Sequence, residues 1–453
     1  MNFKKIGTIL LALVLVAVML AGCANQGTPA TSGEATQAPT PAAPAAPTAP
    51  ATGGLDADSP DPIHLTYWTI AGWRPTHMEY TIERFTEMHP HITVDLVVNS
   101  IDDHKRNLMI AAASDSMPSF WHNWGGTLGS FYPENFLTMD LTEYARANNW
   151  DQKFYSRSLE LATLAGQLSG APYSLAAFGI VYNRQAFSDA GITSHPTTFA
   201  EFEAILDQLH GAGWIPVAAG GRNGWQVYRL IELMMEMNLG SALHDQLTVH
   251  WDTDLWLHDG VTETFSAFRR YVESGFYPEG FVTADPNDSR FLLYNNIAAM
   301  MVEGAPLEAL IFADGMNPND FGFFPFPTDG NRMTSFVQMN QFSARLTPEE
   351  FEAAMALNHF AFSPDVIESL GGVVQQPVPR FDNPILHELP IASAVMETLD
   401  NRGGFLIVDQ ALPQEVVNRL FELTDYVALG VIAPEDVGVQ MQQFHNTWLL
   451  MNQ

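Results

Sequence analysis

Apolar positions along this chain change their spacing twice. A mainly apolar stretch from Ile6 to Met19 gives way to a tract, Ala24 to Gly54, with no apolar side chain larger than Ala or Pro. Beyond it, segments of period 2 alternate with segments of helical period. His64 to Trp68 alternates as a strand does, and Pro75 to Met88 then places Met78, Ile82, Phe85 and Met88 on one helical face. Ile92 to Val98 predicts a second strand, Asp103 to Ala113 a short helix, and Ser119 to Trp121 a third strand that runs into a Gly125-Gly126 loop. Repeated strand-then-helix units predict an α/β layer architecture with parallel pairing. Open sheets of that kind hold ligands at the carboxyl ends of their strands. Ile70 to Arg74 and Trp121 to Trp124 are therefore candidate pocket walls.

Helix boundaries are sharpest in the second half. Thr198-Phe199-Ala200-Glu201 is a capping box, continued at helical spacing by Phe202, Ile205, Leu206 and Leu209 and stopped by Gly211. Strands are predicted on either side, at Phe178 to Asn183 and Ile215 to Ala218. A second capping box, Thr347-Pro348-Glu349-Glu350, has proline at the first helical position and opens a helix toward Phe362. The last hundred or so residues pattern mainly as helices.

The apolar run at the start has the order of a secretory signal: Lys4 and Lys5, then Ile6 to Met19, then the small residues of Leu20-Ala21-Gly22. It is shorter than the roughly 20 residues a membrane span needs. Leu20-Ala21-Gly22-Cys23 resembles the bacterial lipobox, which implies cleavage after residue 22, acylation of Cys23 and attachment to the membrane surface. Cys23 is the single cysteine, so no intramolecular disulfide and no cysteine-based zinc site is available. Residues 23–54 carry one charge, Glu34, and bury too little to offset their ordering entropy. They predict a tether that spans about 30 Å as a coil and roughly 95 Å near polyproline II.

The remainder of the chain, Leu55 to Gln453, is roughly 400 residues, enough for two lobes. Its charge narrows the partners. With 51 acidic against 20 basic side chains the formal net charge is -31, a field that repels nucleic acid and anionic lipid. Beyond the signal only Lys105 and Lys153 are lysines. Catalytic signatures are missing: there is no Gly-x-Ser-x-Gly elbow, no phosphate loop and no His-Glu-x-x-His among the 14 histidines. Carboxylate pairs at glycosidase spacing arise by chance in so acidic a chain. Asp252-Thr253-Asp254 with Asp259 lacks the glycine and terminal glutamate of a calcium loop and predicts a solvated turn. No cofactor or metal is expected.

Several short segments, in order, resemble one family. They are Leu65-Thr66-Tyr67-Trp68, His89-Pro90-His91-Ile92-Thr93-Val94, Met117-Pro118-Ser119-Phe120-Trp121, Gly170-Ala171-Pro172-Tyr173, Val181 to Phe187, Pro196 to Phe202, Asn296 to Met300, and Phe324-Pro325-Phe326-Pro327. Together, from about Ile63 to Leu370, they resemble the family one extracellular solute-binding proteins of ABC importers, the group that includes maltose-binding protein. The resemblance implies an α/β, two-lobed, periplasmic-binding-protein-like fold (type II) with ligand in a cleft between lobes. It implies one lobe from 55–171 and 341–390, another from 172–340 and 391–453, and hinges near Pro172 and Phe336 to Gln341. It further implies a monomeric receptor, not an enzyme, on the extracytoplasmic face of the membrane, which passes its solute to permease subunits.

Sugar clefts combine flat rings, which match the C–H faces of pyranoses, with amides and carboxylates that meet hydroxyls. The candidate walls carry that mixture in Trp73, Arg74, Trp121, Asn123, Trp124, Tyr173 and Trp225, the last beside Arg222 and Asn223. With the resemblance, Trp121, Trp124 and Trp225 become the expected stacking residues, while Trp68 stays in the core. Sugar-binding members often place a Trp where this chain has Pro306, which argues against a maltose-like oligosaccharide. Glu303 is a candidate acceptor for a smaller sugar or a cation, and Gln375, in a glycine-rich loop, a further contact. A carbohydrate is the expected solute. A polyamine-like cation, or a surface carbohydrate-active enzyme, are the alternatives.

Overall fold

The computed structural model describes residues 47–50, 61–71, 74–328, 332–370 and 389–452. Nine strands form its main sheet. The first three, β1 (Ile63–Ile70), β2 (Ile92–Asn99) and β3 (Phe120–Trp124), pair in parallel around β1, as the strand-then-helix order predicts. A small hairpin, β4 (Thr163–Leu164) and β5 (Gln167–Leu168), stands apart from the sheet. The chain then enters β6 (Ala171–Asn183), a strand of 13 residues, and later β7 (Ile215–Val217), β8 (Ala298–Gly304), β9 (Phe321–Phe324), β10 (Met333–Phe342) and β11 (Gly404–Leu406). The strand order is β2-β1-β3-β10-β6-β8-β7, with β11 on β10 and β9 on β6. Antiparallel pairing of β10 with both β3 and β6, and of β6 with β8, makes the sheet mixed rather than all parallel.

Every residue of β6 is buried. Side chains alternate across a strand, and the two large cores follow that alternation. Ala171, Tyr173, Leu175, Ala177 and Val181 join one core, and Ala176, Phe178, Ile180 and Tyr182 the other. Along β6 the cores thus lie on opposite faces of one sheet. Burial on both faces also explains why only Phe178 to Asn183 is recognised as strand from the sequence: a doubly covered strand loses its alternation of polar and apolar residues.

Both predicted capping boxes form, with Thr198 and Thr347 each accepting the backbone N–H of the glutamate three residues on. The helix expected from Asp103 begins earlier, at Ile101, because Ser100 is its N-cap and accepts the Asp103 N–H at 3.2 Å. The Asp252 carboxylate caps a 3₁₀ turn, Thr253–Leu257, and no metal-binding cluster occurs among the described residues. Likewise, no described helix is long and apolar enough to cross a membrane.

One piece of the expected tether belongs to the folded body. Ala49 is buried in the first core, its N–H donates to the Asp140 carbonyl at 3.0 Å, and the Asp140 N–H donates to the Pro47 carbonyl at 2.9 Å. Composition assigned this piece to the linker because Ala and Pro bury little area. Backbone hydrogen bonds with Asp140 hold the segment without a large side chain.

Several ionisable groups are buried in the scaffold. Burial pushes the Glu232 carboxyl up to about 8 against the hydrogen bond from the Val408 N–H, and Glu308 up to about 7 against those from Ile391 and Ala392. Burial holds His244 and His445 down at about 4. The two classes act in opposite senses. A buried carboxyl keeps a proton that the unfolded chain has lost, so its contribution is present below the usual 4.5 and is lost as pH rises toward about 8 for Glu232. The histidines contribute above their usual 6.5 and lose it as pH falls toward about 4. Above pH 6.5 the carboxyls therefore dominate. Urea unfolding is expected to show stability falling from about pH 6.5 to 8, and Glu232→Gln to flatten that slope by up to about 1.4 kcal/mol per pH unit. An unchanged slope in the variant refutes a proton on Glu232.

Candidate functional site

A cleft of about 260 Å³ opens at the carboxyl ends of β1, β3 and β8, where Ile70 and Ala71, Trp124, and Glu303 line it. That is where a strand-end rule for open sheets puts a ligand. Phe178 of β6 and Phe336 and Gln338 of β10 form its floor, and Gln338 sits directly opposite Trp124 in the ladder. The helix Trp225–Leu239 presents Trp225, Tyr228, Arg229 and Glu232, a spacing that puts all four on one face. Two further helices each give a pair four residues apart, Ile101 with Lys105 and Pro306 with Leu310. The turn after β11 adds Val408, Asp409 and Gln410.

Two glycines let these walls approach. Gly224 has φ +74°, and a Cβ there would overlap the Phe421 ring, another cleft residue. Gly126 has φ +62°, and a Cβ there would overlap the Gln410 carbonyl. Side chains other than glycine are strained at such angles as well.

Arg229 organises one wall. Its guanidinium lies 3.9 Å from the Phe178 ring centre and 4.3 Å from that of Trp225, and it pairs with the Glu303 carboxylate. Stacking on two rings and an ion pair at once fix the planar group and, through it, the Trp225 indole. On the opposite wall the Lys105 ammonium lies 5.3 Å from the Trp124 ring centre. Glu232 accepts the Val408 N–H at 3.0 Å, which ties the helix to the turn after β11. Burial raises the Asp409 carboxyl above its ordinary value, an effect that Lys105 and Arg229 oppose.

Of the residues singled out from sequence, Trp124, Trp225 and Glu303 line the cleft. Trp121, Asn123 and Tyr173 do not. Trp121 is fully buried in a small core with Leu108 and Tyr132, its ring centre 5.5 Å from that of Tyr132. It stands three residues from Trp124 on one strand, and an odd separation reverses the face. Asn123 shares Trp121's side of the strand, where its amide donates to the Gln341 carbonyl oxygen at 2.7 Å. Tyr173 is five residues from Phe178 on β6, hence on the other face, stacked on Phe362 at 4.9 Å and bonded to His122. Arg222 is exposed and pairs with Asp285. Trp73, Gln375, Cys23 and the Arg74 side chain lie outside the described residues.

Sequence reading missed Phe178, Arg229, Glu232, Asp409 and Gln410. Arg229 and Glu232 had a findable signal, since they come four and seven residues after Trp225 on an amphipathic helix. Asp409 and Gln410 had none, because they reach the cleft only through the pairing of β11 with β10.

Comparison with known proteins bears on the whole body. A model of the bacterial extracellular solute-binding protein family matches residues 73–367. A probable sugar-binding periplasmic protein of Mesorhizobium japonicum is 25% identical over 54% of this chain and 58% of its own length. One from Rhizobium meliloti is also 25% identical, over the same shares. The chain thus spans 58% of the length of either curated relative. Among solved structures, a chitin oligosaccharide binding protein superposes with a TM-score of 0.76 at 21% identity, covering 85% of this chain and 99% of that one. A sugar transporter protein from Bacillus licheniformis in complex with stachyose gives 0.66 at 16% identity, covering 84% and 98%. These likenesses establish the mixed α/β architecture of periplasmic solute-binding proteins. The family match extends over most of the chain, and the protein is a member of the bacterial extracellular solute-binding proteins, a binding protein rather than an enzyme.

Proposed function

We propose that this protein is the receptor of an ABC importer, anchored through an acylated Cys23 outside the cytoplasmic membrane, which captures a carbohydrate and delivers it to the permease. The observation that carries this reading is the composition of the cleft. Six aromatic residues, Trp124, Phe178, Trp225, Tyr228, Phe336 and Phe421, line it together with Gln338, Gln410, Asn287 and carboxylates. Rings match pyranose faces, and amides and carboxylates meet hydroxyls. The names of the relatives, probable sugar-binding proteins, support the same solute class.

Pro306 and Leu310 occupy the wall where a further indole would extend the stacking surface. A short sugar therefore suits the cleft better than a long maltose-like chain. Closure would use β6 and β10, the two long strands that contain the expected hinges near Pro172 and Phe336 to Gln341. The lobes would be 55–171 with 341–390, and 172–340 with 391–453. Ligand favours the closed form because only that form contacts it from both sides.

Thermal unfolding of residues 24–453 against mono- and oligosaccharides, polyamines and amino acids tests the solute class. A sugar bound at a hundredfold excess over its Kd is expected to add about 2.7 kcal/mol and to be recovered unaltered; no shift with any sugar sinks the reading. For that sugar, Trp225→Ala is expected to weaken binding by more than about 1 kcal/mol through lost stacking and burial, with an unchanged circular dichroism spectrum. Equal affinity removes Trp225 from the site. In cells fed a labelled fatty acid, the full chain is expected to take up label and Cys23→Ala to take up none; label on the variant refutes the anchor.

A further inference from the structure

We propose that the captured sugar carries a protonated amino group, which the carboxylate side of the cleft receives. This rests on the carbohydrate reading above and names the class within it. The first support is charge. Among the described residues, five side chains with acidic or strongly basic groups line the cleft: Lys105 and Arg229 against Glu232, Glu303 and Asp409. Both cations are already engaged. Arg229 is paired with Glu303 and stacked between Phe178 and Trp225, and Lys105 faces the Trp124 ring with Asp409 within its field. Glu232 keeps its proton in the empty cleft, where Lys105 and Arg229 balance Glu303 and Asp409; release of that proton on capture of a cation leaves one carboxylate charge over.

The second support is independent of charge. Among the described cleft side chains, Glu303 Oε2, Asp409 Oδ1 and Gln410 Oε1 are buried acceptors with no hydrogen-bond partner, and Arg229 Nε is a donor in the same condition. Glu232 is 1% exposed and Gln410 2%. Polar atoms so deeply placed are normally satisfied. The shortfall here is of donors, three acceptors to one donor. A hydroxyl adds one donor but brings acceptors of its own, whereas an ammonium supplies three donors and no acceptor. An ammonium also cancels the leftover charge. A uronic acid fails on both counts, and N-acetylation removes the charge while leaving a single N–H.

Titration calorimetry of residues 24–453 at pH 6.5 compares three matched series, gluco, galacto and manno: the amino sugar, its N-acetylated form and the neutral parent, with galacturonate and putrescine beside them. In at least one series the amino sugar is expected to bind tenfold or more tighter than its neutral and acetylated partners. Asp409→Asn and Glu232→Gln, which keep side-chain shape, are each expected to shrink that ratio toward one while retaining the native circular dichroism spectrum; Glu303→Gln serves in place of either variant that fails to fold. Equal or tighter binding of the neutral or acetylated sugar overturns the amine inference and leaves the carbohydrate reading standing. An amine preference that none of these folded variants reduces overturns the assignment of the carboxylate side. Binding of putrescine with no sugar, or of nothing in the series, overturns both.

Discussion

The structure depends on one constraint: β6 is buried along its whole length, on both faces. A strand so placed must satisfy every backbone group from its neighbours, and β6 does so by pairing with β10 over its first half and with β8 and β9 over its second. The sheet is continuous for that reason. Two cores assemble on its faces.

The cleft is a consequence of the same arrangement. Where β1 and β3 end at Ile70 and Trp124, and β8 arrives from the opposite direction to end beside Glu303, the sheet leaves a crevice. The groups lining it are costly to bury. A carboxylate–guanidinium pair such as Arg229–Glu303 recovers its desolvation only with good additional partners, and a well-packed apolar pair of the same volume often serves stability as well or better. Phe178 and Trp225 supply part of that compensation, with ring centres 3.9 and 4.3 Å from the guanidinium. What the pair adds is geometry: it fixes Trp225 and leaves polar atoms beside rings, the condition for recognising a molecule with one apolar and one polar face.

Much of the element order was legible in the sequence. Capping boxes at Thr198 and Thr347 work within four residues, so their local code survives in any tertiary context. β1 and the helix Arg74–Met88 were legible because each has one covered and one open face. β6, without an open face, was visible only in its second half. The candidate site was less legible. Trp124, Trp225 and Glu303 stand at element ends, where the strand-end rule finds them. Trp121 and Tyr173 satisfy the same compositional test, and only the parity of their positions on β3 and β6 separates them from the cleft.

By itself, then, the sequence determined what depends on neighbours along the chain: the secretory and lipobox order around Cys23, the strand and helix succession, the acidic field, and the ordered segments that mark the family. Tertiary structure decided which side of each strand faces the cleft, that Ala49 joins the core, and that Asp409 and Gln410 meet Trp124, Arg229 and Glu232 from far away in sequence. The physical reason is range. Caps, periodicity and net charge are set within a few residues or by the whole sum, whereas a cleft is made of contacts between elements whose pairing no local pattern encodes.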